Sequence, residues 1–425
     1  MREFLAEGIE GHRTRDLMDA CLAAEASISV KVGGESIGYR RLPVLIRQEG
    51  DRDRRAALEA GRLSVIAETL NPLLLDTIEK CHGVAGELLG TTYDAYCEQL
   101  AGVDFDTLEE EVSAFLAGSR DMLSDLLAYY VRRGLPGVRP DDLRTHDLVH
   151  LLYGPDFHAL FPTERMIERV AGCVASMGLD LTAGGRIKLD LEDRPTKAPR
   201  AFCAPIRVPE EVMLVLQPHG GHDDYATFLH ELGHALHFAN VDANQPVEFR
   251  HLGDYGVTEG YAMTLDHLMQ VPEFLRGVVG IDSPDDFLRF SAFRELVMLR
   301  RYAAKFLYER SLHSLGPSEG RAAEYAERLT EATGARTPPV LYLDDVDPHF
   351  YCIRYVRAWM LAGTLHAALR ERFDVDWFVN PRTGAFLADL WSLGQALPAE
   401  RLAQERLGVE RLSFEPLLEM VHERF

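Results

Sequence analysis

The chain has 425 residues, 47% of them hydrophobic, enough to bury a large core across roughly two to three domains. Acidic residues outnumber basic ones 67 to 45, and the net charge of −22 keeps the surface soluble and repels phosphate backbones, which excludes nucleic acid as an expected partner. No stretch approaches the ~20 apolar residues of a membrane span, and the charged Met1–Glu7 segment lacks the apolar run of a signal peptide, so a cytoplasmic protein with no membrane partner is expected. Cys21, Cys81, Cys97, Cys173, Cys203 and Cys352 show neither paired spacing nor a C-x-x-C, which favours reduced, buried thiols over a disulfide framework or a zinc ribbon.

Apolar residues recur at three- and four-residue intervals over Leu58–Cys81, with a kink or break expected at Pro72, and over Phe105–Arg133 and Glu164–Met177. Strand signals concentrate between Arg186 and Gln217. There Ile187–Leu191 alternates, Val212–Leu216 is a short apolar run, and Ala201–Ala204 is the candidate for a sheet edge. Such an edge could pair with an extended peptide, or the sheet could only shore up the helix that follows. Lys197–Pro199 and Gly316–Ser318 read as loops. Further helices are predicted over Tyr225–Phe238, with Asp223 and Asp224 as N-cap candidates, and over Pro284–Leu315 and Arg321–Thr333. The fold class is therefore mainly α with a small β-sheet, in a helical part covering residues 1–179 and a second part covering 180–425.

Within the Tyr225–Phe238 helix, His230-Glu231-Leu232-Gly233-His234 is an H-E-x-x-H run. At about 3.6 residues per turn the two histidines share a face, so both imidazoles can reach one metal ion. Glu231, one step round, can touch a water on that metal without ligating it. Phe228, Leu232 and Leu236 supply the packing side of the same helix. A catalytic zinc takes three protein ligands and keeps a place for water, so a third ligand is needed. Glu259 lies after a turn marked by Pro246 and Gly253 and could close a His-His-Glu set. Asp266, about two turns further on and on the same face, could accept a hydrogen bond from a ligating histidine. Near the far end, Pro348-His349-Phe350-Tyr351 leads into Tyr355 one turn later, on a helix running through Trp359 towards Arg372. Phenol and imidazole donors of this kind can meet a developing oxyanion, although an aromatic pair alone also suits a core.

These three motifs, in this order, resemble the thimet oligopeptidase and oligoendopeptidase F family of zinc metallopeptidases, and the Pro-His-Phe-Tyr run is closest to the oligoendopeptidase F branch. Ala201-Phe202-Cys203 is similar to that family's small-aromatic stretch, and Ala85–Tyr93 more faintly to its middle section, with roughly the first forty residues unmatched. The resemblance implies a gluzincin-type fold with a deep cleft and one Zn²⁺ per chain held by His230, His234 and Glu259. It also implies Glu231 as general base, with His349, Tyr351 and Tyr355 binding substrate and steadying the oxyanion. Hydrolysis of short peptides by a zinc-activated water is the activity it implies. The chain departs from the family in its shorter N-terminal region, in Tyr261-Ala262-Met263 after the glutamate, and in Asp266 where glutamate is usual. A zinc carboxypeptidase or dipeptidase, hydrolysis of a non-peptide amide, and a non-catalytic helical zinc-binding protein remain as alternatives.

Overall fold

The helical periodicity carries through the computed structural model, which describes residues 1–192, 194, 197 and 200–425 and is mainly helical with a small three-stranded sheet and a separate hairpin. Among the described residues no helix is long and apolar enough to cross a membrane. Contacts divide the chain into two compact units, each built from separated segments: Arg2–Pro155 with Phe293–Cys352, and Asp156–Ala292 with Ile353–Phe425.

The first unit opens with the helix Arg2–Ser27 and a hairpin, β1 (Ser29–Val32) with β2 (Glu35–Gly38), a second site of strand structure outside the Arg186–Gln217 region. Gly33 and Gly34 make its tight turn, both at positive φ (59° and 87°), where side-chain-free residues are favoured. Val32 and Ile37 from this hairpin join Leu58, Ile66, Tyr308, Leu312 and Leu329 in one apolar core.

Two expected helices are interrupted here. The helix Arg52–Val65, capped by the Asp51 carboxylate on the Arg54 amide (2.7 Å), passes through a π-helical turn at Ile66–Leu70 and continues as Asn71–Leu89. The irregularity thus immediately precedes Pro72, whose missing N–H removes one donor from the helix ladder just after the π-helical turn. The expected Phe105–Arg133 helix is two, Phe105–Gly118 and Arg120–Gly134. At the break, the buried Arg300 guanidinium donates to the Leu116 carbonyl (2.6 Å), a group that a continuous helix would have paired internally, and to Ser119 Oγ (2.6 Å).

In the second unit, β3 (Ile187–Asp190), β4 (Phe202–Arg207) and β5 (Glu211–Val215) form a sheet in the order β3-β5-β4. β3 runs parallel to β5 (Ile187↔Val212) and β4 antiparallel to it (Phe202↔Val215). β4 is therefore an edge, and its Pro205 is tolerated there because an edge strand can lack a ladder donor. The loop between β3 and β4 is anchored by Lys197, whose ammonium donates to the carbonyls of Asp190, Glu192 and Leu216 at 2.8–2.9 Å. Ala198 and Pro199 of the expected loop lie outside the described residues.

The helix His222–Ala239 packs on β4 and β5 and against the helix Tyr255–Asp266. Its N-cap is Gly221 (φ 95°), which corrects the expectation for Asp223 and Asp224. Those two residues fall in the first turn, favourable for carboxylates at the positive end of a helix dipole, and Asp224 turns back to accept from the amides of His219 and Gly220. Gly233 is what lets the two helices meet: a Cβ there would stand 2.5 Å from Ala262 Cα and 2.9 Å from the Tyr261 carbonyl oxygen. Gly260, on the opposing helix, makes the same allowance for Leu361, whose Cδ2 would be 2.7 Å from an added Cβ.

Candidate metal centre

Because His230 and His234 are one turn apart and Gly233 admits the neighbouring helix, Glu259 reaches the histidine face. His230 Nε2 lies 3.3 Å and His234 Nε2 3.6 Å from Glu259 Oε2, and one ligand atom from each residue falls within 4.8 Å of the others. Three ligand atoms at that mutual spacing, two imidazole and one carboxylate, could hold one divalent ion. Both ring Nδ1 atoms point away from this focus and are engaged elsewhere. Nδ1 of His230 is 2.8 Å from Asp266 Oδ2, as the two-turn spacing from Glu259 predicts, and Nδ1 of His234 is 2.9 Å from Thr258 Oγ1. Outer contacts of this type fix ring orientation and tautomer, and leave Nε2 for a metal.

The carboxylates and imidazoles of the cluster shift one another's protonation. Burial alone would push the Glu259 carboxyl up, but hydrogen bonds from His230 and His234 outweigh it and hold it down at about 2. Burial would likewise lower the His230 ring, yet Asp266 and Glu259 raise it to about 10. Two carboxylates flanking one imidazole thus favour positive charge at the focus, which a bound ion would supply in place of protons.

Thr258 was not singled out in the sequence. Its hydroxyl bridges His234 and the fully buried His237, 3.0 Å from His237 Nδ1. Burial, followed by the nearby His234, pushes the His237 ring down to about 3, so it is neutral and one of its nitrogens accepts. The spacing of His237, three residues after His234, was the only available hint. Arg357, also unread in the sequence, is buried and bridges Asp254 (2.7 and 3.0 Å) and Glu400 (2.6 Å to Oε1). Asp254 is the N-cap of the Glu259 helix and accepts from Gly256 N at 2.9 Å, so Arg357 ties the Tyr351–Phe373 helix to the start of the helix that presents Glu259.

The remaining candidates are placed as follows. Glu231 is half-buried, and its charge, after burial, raises the thiol of Cys203 on the edge strand β4, which sets the carboxylate beside that strand. Tyr355 belongs to the same unit as the cluster, and its ring packs with Trp359 against Met263 of the Glu259 helix, Ala358 and Ala362. His349 and Tyr351 belong to the other unit. His349 takes a left-handed backbone conformation (φ 52°), as does Phe350 (φ 51°), and His349 Nε2 is 3.5 Å from Glu10 Oε2.

No model of a known protein family matches this chain, and no curated protein matches it.

A second trio, Glu309, Asp347 and Cys352, also brings its ligand atoms within 4.8 Å of one another. Here a protein cation is already in place: Lys305 Nζ is 2.9 Å from Asp347 and 3.9 Å from Glu309. The Cys352 thiol donates to Glu309 Oε2 (3.2 Å) and the Asp347 amide to Oε1 (2.8 Å), while burial pushes the Glu309 carboxyl up to about 8. This group forms a buried ion-pair network in which the ammonium takes the place an ion would need.

Proposed function

We propose that the chain is a zinc-dependent peptidase of gluzincin type that hydrolyses short peptides, in the manner of the thimet oligopeptidase and oligoendopeptidase F enzymes that its motifs resemble. The observation that carries this reading is the convergence of His230 Nε2, His234 Nε2 and Glu259 Oε2 within 4.8 Å, with Glu231 on the same helix left outside the ligand set. A purely structural site has no use for a free carboxylate next to its metal, and structural zinc is normally enclosed by four protein ligands instead of three.

Zinc held by these three residues would supply Lewis acidity, lowering the pKa of a water from about 15.7 towards 7 and polarising the scissile carbonyl. Glu231 takes the proton from the attacking water and passes it to the leaving amine, the part of general base and then general acid. Tyr355 donates its phenol to the oxyanion, a contribution worth roughly 10²–10³ in turnover for a well-placed donor. Edge strand β4, beside Glu231, offers unpaired backbone groups to an extended peptide, and the deep cleft that the resemblance implies belongs to this reading.

The test is metal analysis of the purified protein, followed by a peptide-library digest with and without a chelator, alongside Glu231→Gln. The expected result is one zinc per chain, internal cleavage of short peptides that the chelator abolishes, and a Glu231→Gln protein that keeps zinc and loses activity. Cleavage confined to C-terminal residues would shift the reading to a carboxypeptidase, and bound zinc with no cleavage of any peptide would end the enzymatic reading.

A further inference from the structure

The unit formed by Arg2–Pro155 and Phe293–Cys352 holds a cavity of about 310 Å³ lined from within that unit. Its apolar wall is made of side chains that are otherwise buried. Leu148 comes from the helix Thr145–Tyr153, Val297 from Asp285–Leu315 and Leu329 from Glu319–Thr333, and Leu341 joins them. The charged part of the lining is Arg62, Arg301, Asp344 and Asp345, two of each sign, so it sums to zero. None of these residues belongs to the proposed zinc set.

The four charges are not equally committed. Asp345 is saturated: Oδ1 pairs with Arg301 and lies 3.6 Å from Lys305 Nζ, while Oδ2 accepts from the Tyr325 hydroxyl at 2.7 Å. Arg301 spends only Nη2 on that pair. Its Nε and Nη1 have no hydrogen-bond partner among the described residues, and 31% of the side chain is accessible. Asp344 gives Oδ2 to Arg62 at 2.7 Å, and its Oδ1 likewise has no partner among the described residues. Burial pushes the Asp344 carboxyl up, and the pull of Arg62 does not make good the difference, so this carboxylate is short of positive charge. Neither Oδ1 of Asp344 nor the two spare nitrogens of Arg301 is sealed inside the fold, so a molecule in the cavity can reach all three.

We propose that this cavity binds a free α-amino acid with a large apolar side chain, of the leucine or phenylalanine type. The spare edge of the Arg301 guanidinium meets the α-carboxylate, and Asp344 Oδ1 accepts from the α-ammonium. The ligand's side chain lies against Leu148, Val297, Leu329 and Leu341, where it displaces water from an apolar wall. Asp344 and Asp345 are consecutive, so the open acceptor and the arginine anchored beside it suit two opposite charges carried on one carbon. A balanced lining also matches a ligand with no net charge. A fatty acid would leave Asp344 Oδ1 unmet, and an amine would leave the Arg301 donors unmet. A volume of about 310 Å³ is at the small end of ligand cavities, roughly 300–1,000 Å³, which suits a single amino acid and not a long peptide.

Titration calorimetry on the full chain tests the site with four ligands that a peptidase cannot cleave. These are leucine, alanine, 4-methylpentanoate (leucine without its ammonium) and 3-methylbutylamine (leucine without its carboxylate). Leucine should bind, and each of the other three should bind at least about tenfold more weakly. Val149 also lines the cavity and is 38% exposed, so Val149→Trp can fill the space without a core substitution and should abolish leucine binding. Asp344→Asn should weaken leucine about tenfold and leave 4-methylpentanoate unchanged. Val379→Trp, at an exposed position in the other unit, is the control, and circular dichroism checks that each variant folds. Absence of leucine binding, either truncated ligand bound as tightly as leucine, or leucine bound equally by Val149→Trp would overturn the proposal. The comparison of ligands on the wild type needs no variant to fold. No readout involves zinc or peptide cleavage, so the outcome is independent of the peptidase reading.

Discussion

Nδ1 of His230 and Oδ2 of Asp266 are 2.8 Å apart, and this single contact turns the imidazole so that its other nitrogen faces Glu259 at 3.3 Å. Asp266 also contributes to the raised pKa of the ring, since its charge and its hydrogen bond both act against burial. Losing such an outer partner weakens metal binding by about 10–100-fold. Asp266→Ala should therefore lower zinc affinity within that range in a competition titration against a fluorescent chelator, and Asp266→Asn, which keeps an acceptor but not the charge, should fall between it and wild type. Equal affinity in all three proteins would show that His230 is oriented by packing alone.

Thr258 plays the corresponding part for His234. A ring that ligates through Nε2 carries its proton on Nδ1, so His234 donates to the hydroxyl, and the hydroxyl in turn donates to the neutral His237. Thr258→Val keeps the shape and removes the bridge, leaving a buried donor and a buried acceptor without partners. The expected cost is about 1–3 kcal/mol of stability together with roughly tenfold weaker zinc binding, and Thr258→Ser should restore both. A serine variant that behaves like the valine one would mean that the methyl group, and not the hydroxyl, is what matters.

The difference between Asp266 and Thr258 shows what the sequence can carry. Asp266 was legible because helical periodicity alone puts it on the face of Glu259. Thr258 was not, because a hydroxyl has no fixed donor or acceptor role and the residue beside a ligand points elsewhere in any regular pattern. Long-range capture was equally hidden. The break at Ser119 depends on Arg300, which is 181 positions away, and no local propensity announces it. The β1–β2 hairpin is a different case, since Val30, Val32 and the Gly33-Gly34 pair were a readable turn signal between alternating residues that went unread. The two compact units combine segments distant in sequence, a grouping that only contacts can reveal.

Gly233 gives a stability prediction tied to the same centre. An alanine Cβ would stand 2.5 Å from Ala262 Cα and 3.1 Å from its amide nitrogen, both backbone atoms that cannot rotate aside. Gly233→Ala should force the two helices apart, costing about 1–3 kcal/mol as overpacking does, and should weaken zinc binding because Glu259 moves with its helix. Chemical denaturation of the metal-free protein measures the first effect and chelator competition the second. A variant as stable as wild type would show that the helices can part freely, which contradicts their close contact.

The protonation of the ligating groups sets how metal binding responds to pH. His230 is raised to about 10, so across neutral pH its ring carries a proton that a metal must displace before Nε2 can ligate. Glu259, held at about 2, is already ionised and releases none. Zinc binding between pH 6 and 8 should therefore liberate about one proton from His230, and affinity should rise about tenfold per pH unit. The sign for stability follows from the same two groups. A ring raised from 6.5 stabilises the metal-free fold fully below 6.5, and that contribution is lost as pH climbs through about 10. A carboxyl lowered from 4.5 contributes above 4.5 and is lost as pH falls through about 2. Calorimetry in two weakly chelating buffers of different ionisation enthalpy counts the protons directly. Asp266→Ala should reduce the count, because it removes one of the two carboxylates that keep the ring charged, and a count near zero in wild type would show that His230 is neutral before the metal arrives.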